Sequence, residues 1–239
     1  MHLPAARAVQ PVCLFILCAS FLVPAEDKKA PPEIIVPKLT QAPPKIDGLL
    51  DDPAWKDAAK SEAFTRAYGE ESDLKCFFRV MQDDKALYIA IECPEKDTTH
   101  LKSDVTEHDG DLIWEDDDVE LFINPAGTRD FPYYQIILNP KGVTFDVEMK
   151  GNQDPDKSWE PKYEAKTHVD KNRWTVEIAL PWSSFDRTEN TASEWGFNVL
   201  HVRSIDEMLY WSPVYDPNSH QPGSFGKLKG MPVIKLKRN

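Results

Sequence analysis

From residue 74 onward, apolar side chains recur at every second position in short runs broken by turn residues. Residues 74–81 and 87–93 flank Gln82-Asp83-Asp84-Lys85-Ala86 and read as a hairpin. Runs at 119–124, 133–138 and 143–149 follow. Residues 163–169 and 174–180 enclose the turn Asp170-Lys171-Asn172-Arg173, and 196–203, Leu228 and 233–236 complete the series. About ten short strands separated by turn signals predict an all-β chain. The expected fold is a two-sheet antiparallel β-sandwich of the immunoglobulin or jelly-roll kind. Upstream, Asp51-Asp52-Pro53-Ala54-Trp55 sets an acid before a proline at the first helical position. That predicts one short N-terminal helix over 51–59, with Trp55 facing the core. There is no βαβ alternation and no internal repeat.

Composition narrows the class. Twenty prolines against ten glycines favour turns and edges over long helices. The net charge of −12 disfavours nucleic acid as a partner and an anionic membrane surface as a support. It leaves neutral ligands and hard cations. Arg7, the largely apolar run 12–23 and Val23-Pro24-Ala25 predict a signal peptide over 1–25, cleaved near Ala25. The run is too short for an ordinary spanning helix, so no spanning segment is expected after cleavage. A retained anchor is the alternative reading. The expected location is secreted, periplasmic or cell-surface. Residues 26–44 read as a linker or N-terminal extension leading into a first strand at Ile34-Ile35-Val36, and 45–239 as the domain. Cys13 and Cys18 leave with the leader, while Cys76 and Cys93 remain. If Gln82 pairs with Leu87, Cys76 falls opposite Cys93, and a cross-strand disulfide is geometrically allowed. Two buried thiols are the other reading.

Four stretches in order resemble one family. They are Ile46-Asp47-Gly48 with Asp52-Pro53-Ala54-Trp55; Leu87-Tyr88-Ile89-Ala90; the run 114–123, which reads WEDDDVELFI; and Trp195-Gly196-Phe197-Asn198 with Tyr210-Trp211-Ser212-Pro213 and Ser224-Phe225-Gly226. Together they resemble the family 9 carbohydrate-binding modules and their DOMON-like relatives. The resemblance implies a two-sheet sandwich that clamps a sugar ring between two aromatics, with polar side chains orienting it and structural calcium in several members. Trp114 matches the first clamp tryptophan, and Glu120 a sugar-contacting glutamate. Gln135 and Asn139 fall in the strand that supplies further polar contacts, where Ile137 replaces an arginine. His220 stands where the second clamp aromatic is expected.

The residues themselves add to this. A flat aromatic at a loop–strand junction suits the apolar face of a sugar, which favours Trp114 as a platform. Trp159, in a polar loop, is a second platform candidate. Trp174, Trp182 and Trp195 read as core. Arg203 shares a facing with His201 and is a candidate fork donor to hydroxyls. Asp109, Asp111 and residues 115–118 form an acid run that could take calcium but matches no EF-hand spacing. Met81, Met149, Met208 and His201 are haem-ligand candidates by type alone. No nucleophile motif or metal-ligand spacing appears, so the chain is expected to be a binder and not an enzyme. Its expected partner is an oligo- or polysaccharide, with a separate glycoside hydrolase alongside. A structural or protein-binding sandwich is the rival reading.

Overall fold

The computed structural model describes residues 28–203, 207–216 and 218–235, and the expected leader lies outside them. The strands are β1 (Glu33–Ile35), β2 (Ala59–Lys60), β3 (Phe77–Gln82), β4 (Ala86–Pro94), β5 (Asp118–Asn124), β6 (Tyr133–Leu138), β7 (Thr144–Gly151), β8 (Asp154–Asp156), β9 (Glu164–Asp170), β10 (Arg173–Pro181), β11 (Glu194–Arg203), β12 (Glu207–Tyr210) and β13 (Gly226–Lys229). They form the expected two-sheet sandwich. An eight-stranded sheet runs β1-β13-β11-β5-β6-β7-β8, with β12 also on β11. A five-stranded sheet runs β2-β3-β4-β10-β9. β1 lies parallel to β13, and the other neighbours are antiparallel.

Period-two alternation sets what lies between the sheets. Val119, Leu121 and Ile123 of β5, Tyr134, Ile136 and Leu138 of β6, and Phe197 and Val199 of β11 point inward. There they meet Phe78, Val80, Ile89, Ile91, Val176 and Ile178 of the five-stranded sheet. Trp174 and Trp195 are fully buried here, and Trp182 packs against the same core. Trp159 joins them and is no surface platform. It packs on Tyr134 at 4.4 Å and donates Nε1–H to the Ser184 carbonyl. A polar loop sequence hid it, because its partners lie on distant strands.

Two segments differ from the sequence expectation. The short helix over 51–59 does not form, and Pro53–Lys56 makes only a 3-10 turn. The Asp52 side chain caps nothing in that turn and accepts instead from the Lys45 N–H. Buried Glu177 of β10 accepts from the Asp47 and Gly48 N–H groups and from Trp55 Nε1–H, pinning the segment across the back of the five-stranded sheet. Helix propagation is weak for so short a segment, and these bonds fix the backbone ahead of it and the Trp55 indole within it. Gly48 sits at φ 86, where a Cβ would come 2.7 Å from the Thr167 carbonyl carbon. The described part of the extension, residues 28–44, supplies the expected first strand as β1 and the buried Val36. At the other end, residues 233–235 form no strand, and Lys235 makes a single bridge to Asn190; Leu236 lies outside the described residues.

Candidate functional site

The second face of the eight-stranded sheet carries the remaining set of alternating side chains. Asp118, Glu120 and Phe122 come from β5, Tyr133, Gln135 and Ile137 from β6, and Leu200 and Val202 from β11. Phe145, Tyr210 and Phe225 extend the apolar part of this face. At its centre, Gln135 Nε2–H donates to Glu120 Oε2 at 2.7 Å, a diagonal contact across the β5–β6 ladder. Burial holds the Glu120 carboxyl up, at about 7, against the opposing pull of that hydrogen bond.

Trp114 and His220 sit over different parts of this floor. Trp114 lies on a one-turn 3-10 segment, Ile113–Glu115, entered through Leu112 at φ 69. Ile113 is buried in the face and anchors the turn, while Trp114 stays 43% exposed, edge-on to Phe145 at 6.0 Å. The sequence expectation of an exposed aromatic at this junction is met. His220 stacks on Tyr133 at 6.3 Å and meets Phe122 edge-on at 5.8 Å. Its Nδ1 is engaged by the Tyr133 hydroxyl, and burial lowers its pKa, so the ring is neutral at pH 7.

Asn139 and Arg203 do not join this group. Both Asn139 amide hydrogens are taken, by the Val105 carbonyl and Asp116 Oδ2. Its Oδ1 accepts from the Lys141 and Val143 N–H groups. The carboxamide is saturated and holds the Trp114 loop to the sheet. Arg203 points to the other side of β11, where Glu95 takes its Nε–H and Nη2–H at 2.7 and 2.8 Å and Glu207 takes Nη1–H. Sequence reading passed over Phe122, Tyr133 and Phe145 as site residues. Their positions two residues from Glu120 and Gln135, or across the ladder from Ile137, were the available signal.

The acid run divides into different roles. Asp116 accepts from the Asp104 and Val105 N–H groups and from Asn139, and Asp117 accepts from the Lys102 N–H. These carboxylates organise loop 101–105. Among the described residues, His108, Asp109 and Asp146 bring ligand atoms within 4.8 Å of one another, a set that includes an imidazole. Asp118 is fully buried, and neither of its oxygens has a hydrogen-bond partner. Burial first, then the charges of Glu120, Asp116 and Asp117, push its carboxyl well above the usual range. The haem-ligand candidates fall in separate layers. Met81 packs with Trp55 behind the five-stranded sheet and Met149 belongs to the outer face of the other, whereas His201 points between the sheets.

A two-sheet sandwich with an exposed tryptophan over a polar-centred sheet face is the architecture of a ligand-binding module. The chain belongs to the carbohydrate family 9 binding domain-like family, whose profile matches residues 46–229. Among solved structures, the fold resembles a putative carbohydrate-binding protein from Bacteroides uniformis (TM-score 0.67, 15% identity, covering 83% of this chain and 99% of that one). It also resembles a family 9 carbohydrate-binding module from Caldicellulosiruptor kristjanssonii in complex with glucose (TM-score 0.59, 19% identity, 82% and 94% covered). The same is true of that organism's module in complex with cellotriose (TM-score 0.57, 19% identity, 87% and 95% covered). An endo-1,4-beta-xylanase A from Thermotoga neapolitana is 25% identical over 198 residues, 78% of this chain. Its Thermotoga maritima counterpart is 24% identical over 204 residues, 82% of this chain. The chain spans only 17% and 18% of the length of these curated relatives. Among the described residues, no helix is long and apolar enough to cross a membrane.

Proposed function

We propose that this chain is an exported, non-catalytic module that binds neutral oligo- or polysaccharide on the outer face of its eight-stranded sheet. The observation that carries the reading is Trp114. A large aromatic held 43% exposed by a buried neighbour, beside a Glu120–Gln135 pair, can cover an apolar sugar face while polar groups orient the hydroxyls. Family membership supports the class of ligand. The complexes of similar folds with glucose and cellotriose make β-linked glucosyl sugars the first to test. In this reading the module supports polysaccharide breakdown by a separate glycoside hydrolase.

A structural or protein-binding role is the second reading, and His220 favours it. Its ring lies on Tyr133 with Nδ1 engaged, so it offers less open aromatic surface than Trp114.

Calorimetry of the purified chain against glucose, cellotriose and xylo-oligosaccharides separates the two. Micromolar to millimolar affinity is expected. Trp114→Ala should weaken it about tenfold to thirtyfold, the loss of roughly 50–80 Å² of apolar contact. A folded protein that binds none of these sugars, nor any glycan on an array, would favour the second reading.

A further inference from the structure

We infer that Cys76, Cys93 and His201 form a site for a thiophilic metal ion, Cu(I) ahead of Zn(II), that ties the two sheets together. Cys76 lies one residue before β3, and Cys93 is near the end of β4. The β3–β4 register pairs Phe77 with Glu92 and so sets the two cysteines opposite each other. His201 reaches them from β11 of the other sheet. Its Nδ1 lies 3.0 Å from Cys76 Sγ, and the three donor atoms all fall within 4.8 Å of one another. All three residues are fully buried. Tetrahedral or trigonal coordination by sulfur at about 2.3 Å and nitrogen at about 2.0 Å asks for donors roughly 3.5–4 Å apart. The 4.8 Å limit on the three donor atoms admits that range, and the 3.0 Å contact between Cys76 Sγ and His201 Nδ1 falls just short of it.

A second, independent observation concerns the far side of the imidazole. His201 Nε2 is buried and has no hydrogen-bond partner. Glu95 Oε1 stands 3.9 Å from it, held in place by Arg203. With Nδ1 on an ion, Nε2 carries the proton and faces this carboxylate, the arrangement that orients most metal-binding histidines. The competing fate is a Cys76–Cys93 disulfide. The structure carries both as free thiols. A disulfide would join adjacent strands of one sheet and leave the buried imidazole without a partner. An ion engages all three side chains and bridges the sheets. A closed set of two sulfurs and one nitrogen suits Cu(I), whereas Zn(II) asks for a fourth donor. A surface cavity of ≈ 300 Å³ is lined in part by Glu95 and Arg203, the pair beyond the imidazole. Binding displaces the two thiol protons to solvent, and no electrons change hands.

The test uses the full purified chain, reduced without oxygen and loaded separately with Cu(I) and Zn(II). One Cu(I) per chain is expected, retained through gel filtration, with weaker Zn(II) uptake. Loading should also shield Cys76 and Cys93 from alkylation and quench Trp174, whose ring lies 5.8 Å from His201. Cys93→Ser should abolish retention. Because that buried change could disturb folding, Glu95→Gln serves as the second variant. It should weaken Cu(I) about tenfold to a hundredfold as measured by chelator competition at a temperature where circular dichroism shows the variant folded. Reduced, folded wild-type protein that retains neither ion would overturn the inference. So would retention that leaves both thiols open to alkylation, or that is indifferent to both variants.

Discussion

Asp118→Asn is expected to stabilise the protein by about 2–4 kcal/mol at pH 7.5 and by less than about 1 kcal/mol near pH 4. The side chain is fully buried on the β5 strand, with neither carboxyl oxygen hydrogen-bonded. Its folded pKa is raised well above the ordinary 3.8. The folded state therefore holds a proton that the unfolded state has already released. Wherever that is so, stability falls as pH rises, from the unfolded pKa through the folded one. Below the unfolded value the penalty disappears. Glu120 adds the same slope between 4.5 and about 7, and Asp146 between 3.8 and about 7, each raised first by burial. The wild-type protein should accordingly be more stable in mild acid than at pH 8. The amide keeps the carboxyl's shape and removes its titration. Urea denaturation of wild type and variant at pH 4 and pH 7.5 measures the difference. Destabilisation by Asp118→Asn at pH 7.5 would mean that the carboxylate serves a partner in solution, and the argument would fail.

The sandwich was legible in the sequence because period-two alternation depends on residue order alone. The strands at 119–124 and 133–138 needed no tertiary knowledge. The Gln82–Leu87 register was legible too, because a short turn between two apolar runs restricts the pairing. What escaped the sequence was decided across distance. The helix signal at Asp52-Pro53 is genuine locally, yet Glu177, more than a hundred residues away, fixes the backbone just ahead of it at Asp47 and Gly48 and holds the Trp55 indole. Trp159 read as a platform because its neighbours in sequence are polar, whereas its neighbours in space are Tyr134 and Ser184. Trp114 stands out as an aromatic among acids at a loop–strand junction, and alternation along β5 fixes the facing of Glu120. Asn139 shares that face, but hydrogen bonds to loop residues saturate it, a fact no spacing rule records. Arg203 was given the right facing beside His201, and only the structure shows that this facing is away from the candidate site.

Glu177→Ala is expected to destabilise the fold by about 3–5 kcal/mol and leave sugar affinity unchanged in the molecules that remain folded. Glu177 is fully buried, and its two oxygens accept three N–H groups at 2.9, 2.7 and 2.7 Å. Alanine strands those donors in a low-dielectric layer with little access to water. Trp55→Phe removes one donor and leaves the other two bonds in place, so a smaller loss, about 1–2 kcal/mol, should follow. The pair of variants also assigns a role to two motifs by which the family resemblance is recognised. Ile46-Asp47-Gly48 and Asp52-Pro53-Ala54-Trp55 lie behind the five-stranded sheet, with the whole thickness of the core between them and Trp114. They hold a segment of backbone against β10 and touch none of the side chains around Glu120. Chemical denaturation gives the stability change, and calorimetry at a temperature where each variant stays folded gives the affinity. Stability loss with affinity intact marks these motifs as signatures of the scaffold. Loss of affinity in a folded Glu177→Ala protein would instead place the binding face on the five-stranded sheet.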